Sequence, residues 1–296
     1  APAPGPLARQ PWLHDLAVTV RGNVTVLGGR DGQITGEGVQ GVWVDDRRML
    51  SQLIVEIGGE PPVPVSERII GGVGQFLGSA RALASWTPDP VVEVVRTRRH
   101  TSSGVRESLL LRSRLTTPAR VAVRMTLAAD AAPIAMVKAG LAPAAVLTPD
   151  VVGGAVRFVG RGVEAAVVVP EQLQAHVDRE RATFDGHVVL PPAGEVELVV
   201  DIALRRTHAT AFDADAGHDL IGWEDVAVVA ADPRLAPMVA DSLADLRGLL
   251  LTDPLAPTDV FVGAGTPWYL TLFGRDSLWA AMLTLPLGLE LAHGTL

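Results

Sequence analysis

Between residues 11 and 232, short apolar runs alternate with polar ones, and turn-forming residues separate them. VTVRGNVTVLG, residues 18 to 28, reads as two strands around the turn pair Gly22-Asn23. GVWVDDRRMLSQLIVEIGGEPP, residues 41 to 62, predicts a strand, a charged turn and a second strand ending at Gly58-Gly59. Residues 91 to 127 alternate apolar with charged positions, interrupted at Ser102-Ser103-Gly104 and at Thr117-Pro118. That period predicts a meander with one buried and one wet face. Residues 151 to 170 and 186 to 206 continue the pattern. Many short strands spaced by roughly 8–12 residues predict a sandwich or barrel.

The period changes near residue 232. Asp232-Pro233 predicts a helix N-cap and first turn. Leu235, Val239, Leu243, Leu246 and Leu250 recur at helical spacing, so an amphipathic helix is expected. Residues 252 to 267, rich in Pro, Gly and Thr, are expected to form a loop. A second helix should start near residue 275 and bend or break at Pro286. Two helices of about 17 residues cannot bury themselves as a domain, so they lean on the sandwich or begin a helical domain.

Composition narrows the function classes. The net charge is -8, which argues against a nucleic-acid partner. No cysteine is present, which excludes disulfides and cysteine zinc sites. No run approaches the roughly 18 apolar residues of a membrane span, so no membrane partner and a cytoplasmic location are expected. Residues 1 to 10 read as a flexible tail.

Several constellations favour bland readings. The histidines show no HExxH-like spacing. FDADAGHDL, residues 212 to 220, lacks the spacing and closing glutamate of a calcium loop. No metal and no cofactor are expected. GGVGQFLGSAR, residues 71 to 81, is Gly-rich, but the chain's one lysine, Lys138, is far away in sequence, so a turn outweighs a phosphate cradle. No GxSxG elbow anchors a hydrolase triad. Asp45-Asp46-Arg47-Arg48 reads as a charged turn. The arginines at 96, 98, 99, 106, 112, 114, 120 and 124 read as the solvated face of antiparallel strands.

The sharpest cluster is PWYLTLFGRDS, residues 267 to 277. Trp268, Tyr269 and Phe273 stand close to Arg275 and Asp276 at an expected helix start. One reading is a capped helix with an ion pair and an aromatic core. The other is a sugar platform, since aromatic faces stack on pyranose CH faces and a carboxylate and guanidinium fork adjacent hydroxyls.

AGTPWYLTLFGRDSLWAAM, with GVWVDDRRMLSQL and SLADLRGLLL, resembles bacterial glycogen-debranching enzymes of the amylo-α-1,6-glucosidase type, related to glucoamylases. The resemblance covers nearly the whole chain. It implies a mainly β protein: an antiparallel β-sandwich (super-sandwich) over 11–232, then a linking helix and the first helices of a truncated (α/α)6 barrel over 233–296. It implies inverting hydrolysis of α-glucosidic, α-1,6 branch linkages in glycogen-type glucan. Arg275 and Asp276 would grip the non-reducing glucose, and Trp268 and Phe273 would shape its wall. The two catalytic carboxyls would come from later barrel helices, so none is expected here and the chain is expected to be inactive alone. The expected partners are an α-glucan and the remainder of the barrel. A non-catalytic glucan-binding or structural sandwich and a related (α/α)6 glycoside phosphorylase are the competing readings.

Overall fold

The computed structural model describes residues 12–83, 89–141, 143, 146–160, 162–207, 210–213 and 220–296. The expected tail over residues 1 to 10 lies outside the described residues. In chain order the strands begin with β1 (Leu16–Arg21), β2 (Val24–Gly29), β3 (Gly41–Val44), β4 (Arg47–Leu50), β5 (Gln52–Ile57), β6 (Val63–Ile70) and β7 (Val73–Ser79). Next come β8 (Val92–Thr101), β9 (Gly104–Ser113), β10 (Ala119–Ala128), β11 (Ala132–Pro133), β12 (Pro149–Val152) and β13 (Ala155–Gly160). The last are β14 (Val163–Val168), β15 (Leu173–Val177), β16 (Arg181–Leu190), β17 (Glu195–Arg206), β18 (Leu250–Asp253) and β19 (Ala256–Val262). The α-helices are α1 (Ile134–Lys138), α2 (Leu235–Arg247), α3 (Gly274–Thr284) and α4 (Glu290–Thr295).

The fold is mainly β and antiparallel. An eight-stranded sheet runs β12-β13-β14-β17-β9-β8-β7-β6. A four-stranded sheet runs β15-β16-β10-β5, and a five-stranded sheet runs β1-β2-β3-β4-β11. Their inner faces share one core. Leu109 and Leu111 of β9, Met125 and Leu127 of β10, Phe184 of β16, and Met49 and Leu50 of β4 are all fully buried in it. The expected turn at Gly22-Asn23 is present, with Arg21 opposite Val24 and Gly22 at φ +52°, where a side chain would be strained.

Three expectations of the strand region are corrected. The meander does not run through residue 127. β8 and β9 pair, but β10 pairs with β16 and β5 in another sheet. The bend at Thr117-Pro118 carries the chain across the core rather than along one sheet. Second, Arg96 and Arg98 are not solvated; both are buried, as is Glu107 opposite Arg98. Arg96 Nε donates to Glu107 Oε2 at 2.7 Å, and Arg98 Nε donates to Oε1. Arg96 Nη1 also donates to Gln33 Oε1, 3.0 Å, and Arg98 Nη2 to the Gly32 carbonyl, 2.9 Å. Burial pushes the Glu107 carboxyl up, but attraction and hydrogen bonds from the two arginines outweigh it and hold it below the usual carboxylate range. Third, Arg48 of the charged turn is buried and pairs with Asp130 at 2.6 Å. A partner 82 positions away compensates its desolvation.

The C-terminal part also differs from expectation. Asp232 does not cap a helix; Oδ1 accepts from the Arg234 backbone N–H at 2.9 Å, and α2 starts later, at Leu235. α2 and α3 have 13 and 11 residues, shorter than about 17. The stretch from 252 to 267 is not all loop. Leu250, Leu251, Val260, Phe261 and Val262 are buried, and they form the β18–β19 hairpin. Pro257 sits next to the register shift at the start of β19, where a missing N–H costs least. Pro286 interrupts the helical run as expected: α3 stops at Thr284, a 3-10 turn spans Leu285–Leu287, and α4 follows. Ala281 of α3 and Leu291 of α4 pack on Leu250, Val260 and Val262 of the hairpin.

Candidate functional site

The segment from Ala264 to Asp276 leaves β19, closes a tight loop and enters α3. Gly265 and Tyr269 exchange backbone hydrogen bonds of 3.1 and 3.0 Å, and the Ala264 N–H donates to the Thr271 carbonyl at 3.1 Å. The loop is pinned to the sandwich. The hydroxyls of Thr266 and Thr25 of β2 lie 2.7 Å apart. Trp268 packs on Leu27, Val39, Trp43, Ala132 and Val137.

α3 starts without an Asp, Ser or Thr at its N-cap; Phe273 occupies that position. Ser277 takes over the task. Its Oγ accepts from the Phe273 N–H at 3.2 Å and donates to the Val262 carbonyl at 2.8 Å. This ties the helix start to β19.

The aromatic cluster divides in two. Trp268 lies half-buried against the sandwich, whereas Tyr269 and Phe273 are exposed with ring centroids 6.2 Å apart. Arg275 and Asp276 sit on the first turn of α3, with Arg275 Nε 3.5 Å from Asp276 Oδ2. Their side chains are 74% and 42% exposed, so both polar ends are open to a ligand. The structure therefore gathers Phe273, Arg275 and Asp276 at one helix start, whereas Trp268 packs on the sandwich.

Sequence reading missed Lys138. It ends α1, far from the motif in sequence, yet its Nζ lies 5.5 Å from the Trp268 centroid and 4.4 Å from the Tyr269 centroid. Nζ also donates to the Tyr269 hydroxyl at 3.3 Å. A cation over an aromatic face gains roughly 0.5–1 kcal/mol at an exposed site. The available signal was compositional: it is the only lysine in a chain of 25 basic residues.

Trp268 also lines a cleft of about 590 Å³ between the β3–β4 turn and the Trp268–Thr271 strip. Asp45, Asp46 and Arg47 stand on one side, and Thr210 and Phe212 come from the segment after β17. Asp45 adopts φ +49°, unusual for a residue with a side chain. Its N–H donates to the Asn23 carbonyl at 2.8 Å, and Arg206 Nη1 donates to its Oδ2 at 2.7 Å.

Among the described residues, no three His, Asp or Glu side chains gather as metal ligands. His208, Asp215, His218 and Asp219 of the Asp-rich stretch lie outside the described residues. No described helix is long and apolar enough to cross a membrane.

Residues 20 to 201 match the family described as the N-terminal domain of (some) glycogen debranching enzymes. The chain belongs to that family. The match ends before the Trp268–Asp276 segment, so family membership rests on the sandwich. No curated protein sequence matches the chain. A human-microbiome protein described as a kojibiose phosphorylase aligns at 8% identity and TM-score 0.46, over 64% of this chain and 29% of that one. The Slr1438 protein of Synechocystis sp. PCC 6803 aligns at 8% identity and TM-score 0.45, over 70% of this chain and 99% of that one. A galactose mutarotase-like protein of Clostridium acetobutylicum aligns at 8% identity and TM-score 0.41, over 65% and 99%. At these TM-scores the likenesses carry no functional weight. The chain spans less than a third of the phosphorylase.

Proposed function

We propose that this chain provides the sandwich and one wall of a sugar subsite in an enzyme that hydrolyses α-1,6 branch linkages of glycogen-type glucan. In this reading, residues 11–232 are the sandwich domain, and 233–296 hold the linking helix and the opening of an (α/α)6 barrel. Arg275 and Asp276 grip the terminal glucose: the guanidinium donates to one hydroxyl and the carboxylate accepts from its neighbour. Phe273 lies under the CH face of the ring, and Trp268 backs the wall. The partners are the glucan and further barrel helices.

One observation carries the reading. A member of the debranching N-terminal family holds an exposed aromatic, a guanidinium and a carboxylate on a single helix start that is anchored to buried backbone through Ser277. A grip of that kind selects a sugar only if its groups are held before the ligand arrives.

Inverting hydrolysis needs an acid on the leaving oxygen and a base on water, roughly 6.5–9.5 Å apart. Neither role is assigned to Asp276, whose partner Arg275 suits it to accept hydroxyl hydrogen bonds. Calorimetric titration of the chain with maltotriose and isomaltotriose tests the grip. Asp276→Asn and Arg275→Ala should each weaken binding by about tenfold or more, the loss of one charge-assisted hydrogen bond. Unchanged affinity in both variants overturns it.

A further inference from the structure

The cleft beside Trp268 is not part of the Arg275–Asp276 grip. Phe273, Arg275 and Asp276 do not line it; Trp268 and Thr271 do. Its volume of about 590 Å³ falls within the roughly 300–1,000 Å³ of small-ligand sites.

The chemistry of its walls limits what fits. Trp268, Phe212, Leu251 and Leu270 give it apolar lining. Asp45, Asp46 and Arg47 add charge of both signs. Arg206 already occupies Asp45, and Arg47 Nη1 donates to the Ala131 carbonyl at 3.4 Å, which leaves the exposed Asp46 carboxylate and the other Arg47 N–H groups, one acceptor and one donor set. Thr210 and Thr271 add hydroxyls that both donate and accept. A phosphate would want a second cation and a metal ion a second carboxylate. A neutral polyol with one apolar face satisfies the whole set.

The rim is also held in advance of any ligand. Asp45 takes a left-handed backbone conformation at φ +49° in the two-residue β3–β4 turn, and the Asn23 carbonyl and Arg206 hold its N–H and carboxylate. The Thr25–Thr266 contact fixes the Trp268 side in the same way. The β3–β4 turn and the Trp268–Thr271 segment lie about 220 residues apart in sequence and still line one cavity.

We propose that this cleft is a second sugar site, in which the β3–β4 turn of the sandwich holds a further glucosyl unit of an α-glucan beside the one gripped at α3. The proposal rests on the glucan reading above and extends it to residues of the family-matched sandwich.

The test is calorimetric titration of the full chain with maltotriose and isomaltotriose. Asp46→Asn removes the exposed acceptor charge, and Thr271→Arg fills the cleft. Thermal melting confirms that each variant is folded. At least tenfold weaker binding in both, with unchanged melting, supports the site. Wild-type affinity in both overturns it, whatever Asp276→Asn does. If Asp276→Asn binds normally while the cleft variants do not, the grip fails and the cleft stands. If the wild-type chain binds neither sugar well above about 1 mM, both readings fall.

Discussion

The hydroxyls of Thr25 and Thr266 meet at 2.7 Å although 241 positions separate them. One belongs to the second strand of the sandwich, the other to the loop that presents Trp268. The contact ties the loop to the β-core.

Thr266→Val removes one partner and leaves the buried Thr25 hydroxyl unsatisfied. The expected cost is about 1–2 kcal/mol of stability, together with weaker maltotriose binding as the loop loosens. Urea unfolding and titration on the same sample check both. A stability loss with unchanged affinity would mean that the loop is held by Trp268 packing alone.

Glu107 holds two buried guanidinium groups at once. Glu107→Gln leaves Arg96 and Arg98 as uncompensated buried cations, at an expected cost of about 3–5 kcal/mol. Leu109→Ala, two positions along the same strand face, should cost about 2–5 kcal/mol by leaving a cavity. Urea midpoints report both. A cost under about 1 kcal/mol for Glu107→Gln would show that water reaches the cluster.

Stability should fall in mild acid because of His100. Burial first, then the positive charges of Arg98 and Arg21, push its ring from 6.5 down to about 4. The unfolded chain therefore takes up this proton near pH 6.5, and the fold only near pH 4. Full stability is present above the unfolded value. It declines as pH falls between the two values, by up to about 3 kcal/mol, and then levels off. His100→Gln should flatten that decline in urea titrations taken across the interval. The lowered Glu107 carboxyl acts in the same sense but further into acid, below the usual carboxylate range.

Leu278, Met282, Leu283 and Leu285 are all exposed on α3 and the turn after it, with Leu289 beyond. Exposed apolar side chains concentrated on one short segment drive association in water. Light scattering should show the mass of this chain rising with concentration, and Leu283→Lys should suppress the rise. A monomer at every concentration would mean the face stays dispersed.

Patterning along the chain was enough to identify a mainly β protein, because a period of two marks strands with one buried face whatever their partners. Turn chemistry placed Gly22-Asn23, and Pro286 marked the helix break, since both effects act within a few residues. The motif at Phe273, Arg275 and Asp276 was legible for the same reason: it lies on one helix start. Burial of charge was not legible. Arg96 and Arg98 fall in a polar run, RTRR, and only the pairing that sets Glu107 opposite Arg98 supplies the counter-charge that lets them share the buried face of Val92 and Val94. Nor could the sequence bring Lys138 to Tyr269, 131 positions away, or set the Asp45–Arg47 turn across from Trp268. Local periodicity decides which residues share a face. Which faces meet is decided by strand pairing and core packing over long sequence separations, and the candidate cleft exists only at that level.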